Sequence, residues 1–366
     1  MPDTEEMCRI DRKIEKAISD NVFPGAVLLC ALDKKIVLHR AFGRANIIDN
    51  TLMQKNSIFD LASLTKPFVT ALGISLLAGQ KKIVLDQELG TLLDRFRGTD
   101  KSEITIDMLL RHTSGLPAYR EYFKTLVTAG SDPKKRLRTL LAAEPLVHAP
   151  GTVQAYSDPG YMILGWIIET VSGLSLDQYI HRHLYAKLGI ENLFYIPAES
   201  RELILSKYGP LIAATQNCPW RKTLLQGEVD DDNTWAVGGV DGHAGLFGDA
   251  FSLFILCCEI LDALTGKQTR LIPAEIITRM ARHKNGHDMV AGFDTPAKQN
   301  SSAGIYFSPS SVGHLGFTGT SFWIDPEVSL IVIFLTNRVH PSRANDKIKK
   351  FRPALHNLIR EQLIKR

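Results

Sequence analysis

Ser63-Leu64-Thr65-Lys66-Pro67 stands at the head of an apolar helical pattern whose clearest part is 70–77. Residues i and i+3 share a helix face, so the Lys66 ammonium can sit beside the Ser63 hydroxyl. A serine alcohol attacks poorly until a neighbour takes its proton. A lysine drawn out of water can do this, or can lower the pKa of a group that does. Pro67 lacks an N–H and is harmless only in the first turn, which puts Ser63 at the very start of the helix. There the helix N-terminus adds a positive dipole where an oxyanion would form. The competing reading is an N-cap serine followed by a solvated lysine. Ser131-Asp132-Pro133-Lys134 repeats the spacing, but its proline and polar flanks point to a loop.

Working outward, an amphipathic helix opens the chain, with Ile10, Ile14, Ala17 and Ile18 on one face. After Pro24-Gly25, the apolar runs 26–30 and 36–38 flank Asp33-Lys34-Lys35 and read as a hairpin. Four more strands are expected near the C-terminus, at 303–307, 312–317, 321–324 and 330–335, with turn residues between them. A last helix places Ile348, Phe351, Leu355, Leu358 and Ile359 on one stripe. Between these ends the pattern is helical, most clearly at 106–110, 137–141, 161–171 and 251–264. The economical packing is α/β (α+β). One antiparallel sheet is covered by the terminal helices, with an inserted all-helical subdomain and a cleft between the two. We therefore expect a single domain, its sheet part built from 1–60 and 300–366 and its helical part from about 67–300.

Two further stretches keep company with Ser63. Tyr156-Ser157-Asp158 lies in the helical middle, and His314-Leu315-Gly316 lies on a late strand. With these in order the chain resembles the serine β-lactamase and penicillin-binding-protein superfamily, especially its class C-like, esterase-type branch. That family carries Ser-x-x-Lys, Tyr-x-Asn and Lys-Thr-Gly, the last often His-x-Gly in esterase-like members. The likeness extends to Phe23-Pro24-Gly25-Ala26, His112-Thr113-Ser114-Gly115-Leu116-Pro117 and Gly242-His243-Ala244-Gly245-Leu246-Phe247. It continues through Gly316-Phe317-Thr318-Gly319-Thr320-Ser321 and Leu335-Thr336-Asn337-Arg338-Val339-His340-Pro341, so it runs from near residue 10 to the end.

The resemblance implies Ser63 as acyl acceptor, with Lys66 and Tyr156 sharing the general-base work. It implies an oxyanion hole from the backbone N–H groups of Ser63 and Phe317, and substrate contacts from Asp158, His314, Gly316 and Thr318. No metal and no organic cofactor is implied. Two departures bear on substrate. Asp158 replaces an asparagine, so an N–H donor becomes an acceptor only. It also precedes Pro159, which reads as an N-cap before a first helical position. His314 replaces a lysine, and a neutral imidazole holds an anion less firmly than an ammonium. Both changes favour an ester or a D-amino-acid peptide over efficient antibiotic hydrolysis. The expected activity is an acyl-enzyme hydrolase of small esters or amides. A D-stereospecific peptidase, D-Ala-D-Ala carboxypeptidase-like, is the alternative. The rival of another class is a binding protein that keeps the fold without turnover.

Composition bounds the rest. Hydrophobic residues make up 45% of the 366 and charged ones 22%, which suits a protein with a real core. The net charge of +4 is small and dispersed, which argues against nucleic acid. The partner expected is a small acyl compound or a short D-amino-acid peptide. Five cysteines without paired spacing read as reduced thiols. Met1-Pro2-Asp3-Thr4-Glu5-Glu6 has no basic start, and no uninterrupted apolar run spans a bilayer. Cytoplasmic location without a membrane span is therefore the expectation, although a trimmed exported form has the same appearance. His283 and His287 flank Asn285-Gly286 without an acidic partner spaced for zinc. Asp230-Asp231-Asp232 reads as a solvated acidic turn, and Asp241 and His243 as packing of a glycine-rich loop. No Gly-x-Ser-x-Gly elbow is present.

Overall fold

The computed structural model describes residues 4–128, 130, 132–284 and 287–364. Ser131 of the second Ser-x-x-Lys, the Asn285-Gly286 pair and the side chain of Cys8 lie outside the described residues.

Strand β1 (Gly25–Leu32) is buried on both faces, and strict alternation divides its side chains between two cores. Val27, Leu29 and Ala31 join the larger core on the helical side. Ala26, Leu28 and Cys30 face the other way, toward Ile10, Ile14, Leu355 and Ile359 of the terminal helices Thr4–Ser19 and Ile348–Leu363. The hairpin partner is β2 (Lys35–Asn46), extended by the short β3 (Thr51–Leu52). The opposite neighbour comes from the far end of the chain. It is β11 (Leu330–Thr336), antiparallel, with Leu29 opposite Ile333. Next come β10 (Ser321–Asp325) and the edge strand β9 (Val312–Leu315), giving the order β3-β2-β1-β11-β10-β9.

A second sheet supports the Ser63 turn. Its order is β4-β8-β5, with β4 Phe59–Asp60, β5 Leu193–Tyr195 and β8 Leu246–Gly248. A small ribbon, β6 (Asn217–Cys218) with β7 (Thr223–Leu224), lies apart from both. Long helices Asp158–Ser172 and Ala250–Leu264 fill the region between the strands of the two chain ends.

Several local expectations need correcting. The stretch 303–307 is not a strand. Gly304 has φ +84, and the Ile305 N–H is taken by Asn357 Oδ1 at 2.8 Å, so the segment is a loop tied to the C-terminal helix. Pro133 and Lys134 are not loop residues. Asp132 caps the helix Pro133–Ala143 through the Lys135 N–H, and Lys134 pairs with Glu169 at 2.5 Å. By length and mean hydropathy (1.3), Ala62–Gly79 is a candidate membrane span, but 89% of that window is buried within the fold. The described cysteines, Cys30, Cys218, Cys257 and Cys258, are free thiols.

Candidate active site

Ser63 sits on a single 3-10 turn, Ala62–Leu64, directly after β4. The chain then forms a π-helical stretch, Lys66–Ala71, before the regular helix Leu72–Gly79. Wide turns of this kind concentrate at functional sites. Ala62 carries φ +47, a left-handed conformation that costs a non-glycine residue ~1–2 kcal/mol. It persists because Asp60 Oδ1 accepts the Ala62 N–H at 2.9 Å.

Pairing of β4 with β8 brings the glycine-rich loop 241–246 against this turn. The Leu246 N–H is donated to Thr65 Oγ1 at 3.1 Å, and Thr70 Oγ1 donates to the Gly242 carbonyl at 2.5 Å. Gly242 has no room for a side chain, since a Cβ there would lie 2.2 Å from the Tyr161 carbonyl oxygen. The loop therefore lies close on the helix and presents the His243 carbonyl to Lys66.

Lys66 is fully buried, and its ammonium meets three acceptors. Asp158 Oδ1 is 2.7 Å away, Ser63 Oγ 3.1 Å and the His243 carbonyl oxygen 3.1 Å. Burial opposes its charge, but the Asp158 carboxylate outweighs burial and holds the ammonium above its ordinary range. The Tyr156 ring packs on Lys66, its centroid 4.8 Å from the ammonium nitrogen, and burial keeps the hydroxyl a neutral phenol despite that ammonium. Ser63, Lys66 and Tyr156 are thus brought together, with Asp158 as a fourth member.

Tyr156 is set by the loop that begins at His112. The Ser157 N–H is donated to His112 Nδ1 at 3.0 Å, and Ser157 Oγ donates to the Pro117 carbonyl at 2.8 Å. The imidazole of His112 stacks on Tyr156 with centroids 4.5 Å apart. Burial, then the Lys66 charge, hold it neutral. The cap of helix Asp158–Ser172 is Ser157, whose Oγ accepts the Gly160 N–H at 3.2 Å. Asp158 is the first helical residue instead, so its carboxylate is free to reach Lys66.

His314 lies at the edge strand, its ring centroid 6.1 Å from that of Tyr156. Its Nδ1 is 2.9 Å from the Leu315 carbonyl oxygen, which can only accept, so Nδ1 carries the proton and Nε2 a lone pair. Burial and the Lys66 charge push the imidazole down to about 3. Gly316 is needed for close approach, because a Cβ would lie 2.6 Å from the Leu61 carbonyl oxygen. Thr318 is buried, and its hydroxyl is donated to the Asp60 carbonyl at 2.6 Å. Phe317 is half exposed, with its carbonyl accepting from Arg338 Nε at 2.9 Å. Among the described residues, neither the Ser63 N–H nor the Phe317 N–H is bonded to a protein acceptor.

These groups open onto a cleft of about 590 Å³ lined by Ser63, Tyr156, Asp158, Phe317 and Tyr119. Asp230, Asp231, Asp232 and His243 line it as well, so the acidic triplet is not a solvated turn. Asp230 and Asp232 are buried and pair with Arg343, each at 3.2 Å, and Asp232 pairs also with Arg221 at 2.5 Å. Asp231 Oδ1 is 2.9 Å from His243 Nε2. Burial works against the imidazolium, but Asp231 outweighs it and raises the His243 pKa. The partners of the triplet come from up to 170 residues away, which no local pattern announces. His112 was visible only as part of a motif without a role.

The family model described as Beta-lactamase matches residues 10–353. The chain belongs to the beta-lactamase family. A Salmonella enteritidis PT4 protein named putative D-alanyl-D-alanine carboxypeptidase is 31% identical over 94% of this chain and 86% of its own length. Among solved structures, the octameric penicillin-binding protein homologue from Pyrococcus abyssi superposes with TM-score 0.73 at 20% identity. That match covers 97% of this chain and 79% of the homologue. EstCE1, a hydrolase with promiscuous acyltransferase activity, gives TM-score 0.70 at 20% identity, covering 95% and 98%. The protein is a hydrolase of the serine β-lactamase superfamily, and the two structures attest its α/β fold.

Proposed function

We propose that the protein cleaves small esters or amides through an acyl-enzyme on Ser63. The observation that carries this reading is a buried Lys66 ammonium 3.1 Å from Ser63 Oγ, beside the Tyr156 hydroxyl. Lys66 already donates to Ser63 Oγ, so the serine proton is directed to the Tyr156 oxygen. The Tyr156–Lys66 pair first gives up one proton to solvent, which leaves a Tyr156 phenolate held by the Lys66 ammonium. As Oγ bonds to the substrate carbonyl carbon, the serine proton passes to that phenolate oxygen. The carbonyl electrons move onto oxygen, which the N–H groups of Ser63 and Phe317 receive. Collapse breaks the bond to the leaving group, which takes the proton. Water then attacks the acyl carbon by the same route, releasing acid and restoring Ser63.

Esters are the first choice of substrate. His314 is uncharged and offers a lone pair, so it gives no electrostatic hold to a terminal carboxylate. A D-peptidase is the second reading. It is favoured by the name of the 31% identical relative and by the Arg343 guanidinium on the cleft wall. A panel of short-chain nitrophenyl esters and D-Ala-D-Ala peptides separates the two. Turnover of esters lost in Ser63→Ala is expected. Cleavage of the peptides alone overturns the ester choice, and no turnover of either supports a binding protein.

A further inference from the structure

Asp60 bonds to the residues that adjoin both proposed oxyanion donors, Ala62 before Ser63 and Thr318 after Phe317, and does not itself line the cleft. Its side chain is 2% exposed, and among the described residues no basic group acts on it. It meets N–H donors instead. Oδ1 accepts from the Ala62 N–H at 2.9 Å and Oδ2 from the Asp230 N–H at 2.7 Å, while its backbone carbonyl accepts the Thr318 hydroxyl at 2.6 Å.

Each bond fixes a different wall. Ala62 is in the left-handed region, and its conformation orients the following peptide, whose N–H belongs to Ser63. Thr318 adjoins Phe317, the source of the second N–H. The third bond closes a ring, because Asp230 pairs with Arg343 at 3.2 Å and the Arg343 guanidinium lies 5.8 Å from the centre of the Phe317 ring. A carboxylate buried without a cation is costly to keep, and burial with the neighbouring Asp230 pushes its pKa up to about 7. A group maintained at such expense beside a reactive serine marks a functional site.

We propose that Asp60 is the positioning residue that sets the Ser63 and Phe317 N–H groups relative to one another. This rests on the acyl-enzyme reading above. Oxyanion donors act through fixed geometry, and a displacement of about 1 Å can cost on the order of a hundredfold in rate.

The test compares Asp60→Ala, Asp60→Asn and Thr318→Val with the wild type. The assay is a short-chain nitrophenyl ester, with active sites counted by a fluorophosphonate. Inhibition by an arylboronic acid, whose tetrahedral adduct places an oxygen in the hole, is measured in parallel. Asp60→Ala is expected to lower kcat at least about tenfold with KM within threefold, and to weaken the boronate by a similar factor. Asp60→Asn keeps one acceptor oxygen for two N–H donors and is expected to fall between. Thr318→Val breaks the bond to the Asp60 backbone carbonyl, which the Asp60 variants keep; it is expected to lose severalfold in both readings and keeps the test open if the Asp60 variants do not fold. Values of kcat and boronate affinity within twofold of wild type in the folded variants overturn the proposal while leaving the acyl-enzyme intact. A wild type that takes no phosphonate at Ser63 overturns both.

Discussion

The Lys66 nitrogen and the Asp158 carboxylate oxygen lie 2.7 Å apart, a buried lysine against a carboxylate where the family usually has asparagine. Asp158 holds a proton on Lys66 in the resting protein; burial raises the Tyr156 phenol against the pull of the Lys66 ammonium, and Asp158 adds to the rise. On the proposed chemistry the Tyr156–Lys66 pair must first lose a proton, so Asp158 is expected to set where activity begins on the pH scale.

Asp158→Asn is therefore expected to move the rising limb of kcat/KM to lower pH. Both Lys66 and Tyr156 lose a negative neighbour, so both release their protons more readily. The measurement is a pH–rate profile on a nitrophenyl ester for both proteins. The limb reports the coupled pair rather than either residue. A limb unmoved, or moved upward, contradicts the assignment.

Phe317 is half exposed at the cleft mouth, stacked over Arg338 at 4.8 Å from the ring centre. Phe317→Ala leaves the backbone N–H in the chain but removes an apolar wall. The loss in kcat/KM should be larger for aryl-acyl esters, about tenfold or more at ~25 cal/mol per Å² of lost contact, than for acetyl esters. Equal losses on both would show that the side chain does not select the acyl group.

Buried imidazoles give the fold an acid-sensitive limb. His314 and His356 are pushed down to about 3, first by burial, and His112 is lowered as well. Unfolded, each binds a proton below its ordinary pKa near ~6.5; folded, each stays neutral. The unfolded chain thus binds more protons, and stability is full above that range and falls with pH below it, by at most ~1.4 kcal/mol per pH unit for each group. Urea unfolding from pH 7 to pH 4 should show a falling midpoint. His356→Gln, remote from the cleft, should make the fall less steep.

The sheet and the reactive pair could be read early because their rules are local. Alternation at 26–30 predicts a strand, and spacing by three places Lys66 beside Ser63. Asp158-Pro159 has the pattern of a cap and first helical position, but Ser157, one residue earlier, has the better-placed oxygen and takes the cap. What could not be read depends on distant partners. Asp230 and Asp232 look solvated until Arg343 is folded onto them. Asp60 is an ordinary strand residue until Asp230 and Thr318 close around it. Residues 303–307 fit a strand pattern until Asn357, on the last helix, takes the Ile305 N–H.

The central claim is that Ser63 becomes covalently acylated because Lys66 and Tyr156 converge on its oxygen. Its most direct test is intact-mass measurement after brief exposure to a fluorophosphonate, followed by peptide mapping. The account predicts one adduct per chain, located on Ser63, absent in Ser63→Ala and strongly slowed in Lys66→Met and Tyr156→Phe. An adduct on another residue, or a wild-type chain of unchanged mass, would contradict it.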